Sequence, residues 1–103
     1  MSAGQPFSPH YGSNQIVTLA AGVAQTVGID KTNNQARILN TGGGLVHVHC
    51  FNGTSQPGTV ATTGDFPVPG GLSSVITKSH GHDQMTLLSS AGTTVHVCTG
   101  EGF

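Results

Sequence analysis

The sequence predicts an all-β protein, a single jelly-roll-like β-sandwich of about eight short antiparallel strands preceded by an extended N-terminal arm. Three observations carry that expectation. Short apolar runs start about every 8–12 residues, with Gly, Pro and Asn clusters between them. Helix formers are scarce and turn formers abundant, with 16 glycines among 103 residues. No window of about 11 residues spaces its apolar residues as a helix would. The length allows one domain with a modest core. With 35% apolar residues and no Trp, that core must rest on Val, Ile, Leu, Ala and a few Phe.

Residues 1–14 form the arm. They hold Pro6, Pro9, Phe7 and Tyr11 and show no periodicity, so they read as a segment ordered by a partner, with the two aromatics as anchors. The sandwich domain then covers residues 15–103. Strands are expected near 15–20, 24–29, 35–40, 45–51, 59–62, 73–78, 84–89 and 93–98. Gly42-Gly43-Gly44 reads as a flexible hairpin connection, because a phosphate loop would need a following helix and a Lys. Phe66-Pro67-Val68-Pro69 is stiff, and its prolines cannot donate to a ladder. It reads as a sheet edge or a contact arm.

Only 7% of residues are charged, against roughly 25% in an ordinary soluble domain. Thr, Ser and Gly take their place, giving a neutral, hydroxyl-rich surface suited to packing against other protein. The cations are Lys31, Arg37 and Lys78 alone. No basic patch exists, which argues against nucleic acid and anionic membrane as partners. No segment approaches the roughly 20 apolar residues of a spanning helix. The first residues lack a positive region and an apolar run, so no signal peptide is expected and synthesis is placed in the cytoplasm. Cys50 is in phase with Val46 and Val48, whereas Cys98 is out of phase with Val95 and Val97. The thiols should therefore point to opposite sides of their strands and stay unpaired.

Six histidines are many for this length. His47 and His49 sit at i and i+2 on one strand face, and His96 has the equivalent out-of-core phase on its own strand. His-x-His on a strand could hold zinc or iron, as at the start of small cupin barrels. The Glu that usually follows is missing here, since the chain's single Glu is Glu101. The expectation is therefore that His47, His49 and His96 lie on exposed faces, at least one at a subunit contact and none holding metal. Association through such a contact should weaken as pH falls below about 6.5. No catalytic constellation emerges. There is no Gly-x-Ser-x-Gly elbow, and adjacency on a strand puts His49 and Cys50 on opposite faces. The chain reads as a non-enzyme without a cofactor.

Three segments carry a family likeness: Gln35-Ala36-Arg37-Ile38-Leu39-Asn40-Thr41-Gly42, Ala61-Thr62-Thr63-Gly64-Asp65-Phe66-Pro67-Val68-Pro69-Gly70-Gly71, and Val97-Cys98-Thr99-Gly100-Glu101-Gly102-Phe103. In these the chain resembles the small virion proteins of tailed bacteriophages, of the capsid decoration or cement type. The resemblance implies a β-sandwich body, often trimeric, seated on the outer capsid surface and contacting the major capsid protein. Phe7, Tyr11, His47, His49, His96, Phe66, Pro67 and Pro69 are the expected partner-interface residues. A tail or fibre accessory, a sugar-binding sandwich module and a small metal-binding cupin-like enzyme are the alternatives.

Overall fold

Alternation sets the strands. In residues 46–51, Val46 and Val48 point into the core with Cys50 packed against it, while His47, His49 and Phe51 take the opposite phase. The computed structural model describes residues 8–9 and 12–101, and within them are nine antiparallel strands and no helix. In chain order they are β1 (Ser8–Pro9), β2 (Gln15–Leu19), β3 (Gln25–Gly28), β4 (Gln35–Asn40), β5 (Val46–Phe51), β6 (Phe66–Val68), β7 (Ser73–Thr77), β8 (Gln84–Leu88) and β9 (Thr93–Glu101).

Two sheets face each other. The first runs β2-β9-β4-β7 and the second β3-β8-β5-β6. The pairs β2·β9, β3·β8, β4·β7 and β5·β6 are nested, as in one long hairpin, and β4·β9 and β5·β8 join the rolled-up ladders side by side. This is the strand order of a jelly roll. Two-residue β1 lies in the same lane as β2, opposite Gly100 and Glu101 at the far end of β9. Part of the arm thus continues an edge of its own domain. Phe7 and Tyr11 lie outside the described residues.

The core is the space between the sheets. Val17, Leu19, Ala36, Ile38, Val95 and Val97 come from the first, and Val46, Val48, Val68, Met85 and Leu87 from the second. Each of the larger side chains stabilises the fold by roughly 1.5–3 kcal/mol relative to exposure. Asn40 closes one end of this core and is itself fully buried. Its Nδ2 donates to the Gly44 carbonyl at 2.6 Å and the Val68 carbonyl at 3.0 Å, and its Oδ1 accepts from the Thr93 hydroxyl at 2.6 Å. Three connections are thereby tied to one side chain.

Two expectations fail around these connections. Gly42-Gly43-Gly44 is neither a hairpin nor loosely packed, because β4 and β5 belong to different sheets and the segment crosses between them. A Cβ on Gly70 would lie 2.7 Å from the Gly42 carbonyl oxygen, and one on Gly44 would lie 2.6 Å from that of Gly92. Close backbone packing, not loop freedom, requires glycine there. The expected strand at 59–62 is also absent. The Ala61 N–H donates to the Thr86 hydroxyl at 3.2 Å instead of to a ladder, and the edge strand is Phe66–Val68. That strand confirms the sheet-edge reading of the proline segment.

The loop of residues 52–65 does more than connect. It leaves β5 and returns across the outer face of the second sheet before entering β6. Phe51 and Thr86, which take the outward phase, are buried there together with Ala61 of the loop, and Phe51 is only 3% exposed. The loop is pinned at its start, where the Asn52 Oδ1 accepts from the N–H groups of Thr54 and Ser55 and its Nδ2 donates to the Gly81 carbonyl. At the same point Asp83 Oδ1 accepts from the Gly53 N–H at 2.9 Å. The second sheet therefore carries a roof made of its own chain.

Candidate functional site

The predicted interface residues fall on two sides of the sandwich. His47 and His49 take the outward phase of β5 in the second sheet, and His96 the outward phase of β9 in the first. They form no single cluster. His47 corrects the expectation of exposure, being only 9% exposed. Its phase is outward as expected, but Pro67 and Leu88 flank it in register and the second sheet's outer face is the roofed one. His47 Nδ1 has no hydrogen-bond partner among the described residues. His96 is half-buried, with its Nδ1 3.3 Å from Asn14 Nδ2. Pro69 lies in the turn that follows β6, and Phe66 and Pro67 lie on β6 itself.

His49 stands at the roof's rim. Its Nδ1 is 2.9 Å from Asp65 Oδ1. A carboxylate can only accept, so the imidazole donates from Nδ1 and turns Nε2 away from the pair. Asp65 Oδ2 in turn accepts from the Thr62 N–H at 2.8 Å. That backbone bond, aided by His49 and opposed by partial desolvation, holds the Asp65 carboxyl below the usual carboxylate range. The pair fastens the end of the roof to β5.

A cleft of about 450 Å³ opens beside this pair, between the edge strands β6 and β7. Val48, Phe66 and Ile76 form its apolar wall, and His49, Asp65, Cys50, Lys78 and His82 its polar one. His49, Asp65 and Lys78 are already engaged, whereas the buried His82 Nδ1 has no hydrogen-bond partner among the described residues. Lys78 follows the inward phase of β7 and is buried at the second end of the core. Its Nζ donates to the carbonyls of Asn33 at 2.5 Å, His82 at 3.0 Å and Ser79 at 3.5 Å. Burial pushes the Lys78 amine down, partly offset by Cys50, Asp30, Glu101 and Asp83. Burial likewise pushes the Cys50 thiol up to about 11, against the nearby Lys78 charge. That thiol is a poor nucleophile near neutral pH. Among the described residues no three His, Cys, Asp or Glu side chains converge as a metal site would need. Both cysteines are free, with Cys50 facing the core and Cys98 outward beside the Ser13 hydroxyl at 3.3 Å, as alternation requires.

The second surface is the outer face of the first sheet. Its outward-phase side chains run Ile16 and Thr18 on β2, Thr94, His96 and Cys98 on β9, the buried Gln35 with Arg37 and Leu39 on β4, and Ser73, Val75 and Thr77 on β7. Arg37 is the one charged member of this set. Ile16 is 66% exposed and Val75 43%. No described loop crosses this face as residues 52–65 cross the other. Sequence reasoning found His96 here but missed Ile16 and Val75, whose outward phase could have been read from the strands. In the cleft it missed Asp65 and Lys78. The hint for Asp65 was a Thr three residues before it, and for Lys78 an inward phase on a strand.

No protein-family profile matches this sequence, and no curated protein is significantly similar to it. Among solved structures, a de novo designed double-stranded β-helix, determined by solution NMR, superposes with a TM-score of 0.49 at 13% identity. The match covers 84% of this chain and 96% of that one.

Proposed function

We propose that the protein is a non-enzymatic virion component of a tailed bacteriophage, a capsid decoration or cement protein acting as a homotrimer on the outer surface of the head. The observation that carries this is the outer face of the first sheet. It is broad, holds one charged side chain among its outward residues, and leaves Ile16 and Val75 in water. Such a face avoids the desolvation cost of burying unpaired ions and suits contact with protein. The resemblance of three segments to decoration proteins supplies the address.

The physical role is cohesion. A cement protein buries surface across seams of the shell, so separating capsid subunits also costs its own binding energy. Several contacts of roughly 800 Å² per partner in one oligomer add by avidity. The test is to compare phage heads with and without this protein under heat and osmotic shock. Heads lacking it should assemble and then fail earlier. Equal survival would overturn the cement role.

A further inference from the structure

We propose that copies of this chain join head to tail through the first sheet, the free edge of β7 in one copy pairing antiparallel with the free edge of β2 in the next. The proposal rests on the self-associating reading above and names the seam. β2 and β7 are the two outer strands of one sheet. Among the described residues each has a neighbour on one side only, β9 for β2 and β4 for β7. Alternate N–H and C=O groups along their other sides therefore project out of the ladder.

Natural edge strands are normally blunted by charge, proline or shortness. The second sheet follows that rule. Its β6 has three residues and contains Pro67. Its β3 has four and ends at Gly28, whose carbonyl accepts from Gln15 Nε2 at 2.5 Å. In the first sheet only two-residue β1, which ends the β2 lane with Pro9, follows it. β2 (QIVTL) and β7 (SSVIT) have five residues each, with no charge and no proline. The two unprotected edges also carry the exposed apolar residues of this face, Ile16 and Val75. Like charges cannot oppose this pairing, and each edge supplies what the other lacks.

Strand direction fits. All neighbours in the sheet are antiparallel, so β2 and β4 run one way and β9 and β7 the other. Placing β2 of one copy beside β7 of another, with the sheet continued in the same sense, makes an antiparallel pair and preserves the alternation. The two patches differ, so the contact is heterologous and generates a closed ring when the rotation closes.

The test is directional cross-linking of the full chain carrying Cys50→Ala and Cys98→Ser, with mass measured by light scattering. Ile16→Cys alone and Val75→Cys alone should give no linked product with a short bis-maleimide. Their equimolar mixture should give linked dimers, and the double variant should link into a species of the native oligomer's mass. Val75→Lys should weaken association at least about tenfold while leaving the circular dichroism spectrum unchanged. An oligomer whose single-site variants link to themselves, or whose mixture does not link, overturns the seam and leaves self-association standing. A monomer at every concentration overturns both.

Discussion

The outer faces of the two sheets are made of similar residues and end in different states. Each presents Thr, His and apolar side chains in the outward phase of its strands. On the second sheet the chain covers its own face with residues 52–65, and Phe51 and Thr86 are buried there. On the first sheet no described segment does this, and Ile16 and Val75 stay in water. Phase alone does not decide exposure. What decides it is whether a connection is long enough, and pinned well enough, to return over the strands. The covered face belongs to the fold, and the other keeps Ile16 and Val75 exposed.

The sharpest way to break this contrast is truncation on both faces. Phe51→Ala should cost about 3–5 kcal/mol of folding stability, the range for a buried aromatic. Ile16→Ala, measured in dilute solution where no partner covers it, should stay within about 0.5 kcal/mol. Urea denaturation measures both, and similar costs would show that the bare face is already packed. Thr86→Val tests the roof's attachment. It keeps the shape but leaves the buried Ala61 N–H without its acceptor, with an expected loss of about 1–2 kcal/mol.

The thiols give a third comparison. At pH 8 a Cys50 thiol near 11 is ionised only about one part in a thousand. Cys98 has the outward phase on the bare face. A thiol-exchange reagent should modify Cys98 at least about tenfold faster than Cys50, with the order resolved by peptide mass spectrometry. The smallest expected effect is at the roof's rim. Because the fold lowers the Asp65 pKa, the stabilisation is present above the ordinary Asp value near 3.9 and is lost as pH falls through the lower, folded value. Asp65→Asn should remove that part of the acid dependence below about pH 4 and shift the neutral-pH midpoint only slightly, as denaturation at several pH values would show.

Much of the architecture was legible because strand phase is a local property. Val46, Val48 and Cys50 against His47 and His49, and Val95 and Val97 against Cys98, read correctly from two-residue periodicity. Seven of the eight expected strands have a counterpart, and the eighth lies in a loop because Ala61 finds a hydroxyl and not a ladder. Long-range features did not show. The burial of His47 beside Pro67 and Leu88 depends on strands from other parts of the chain, and the close packing at Gly42 and Gly44 depends on Gly70 and Gly92 passing within contact. The cleft was hidden because Asp65, Lys78 and Cys50 come from three separate segments that only the rolled topology brings together.

The proposed decoration of a phage head is tested by electron cryo-microscopy of particles with and without the protein. The expected result is density of jelly-roll shape outside the capsid shell in the complete particles, three copies grouped around an axis, and bare capsid in the particles lacking the protein. Density confined to the tail, or particles identical in the two samples, would contradict it.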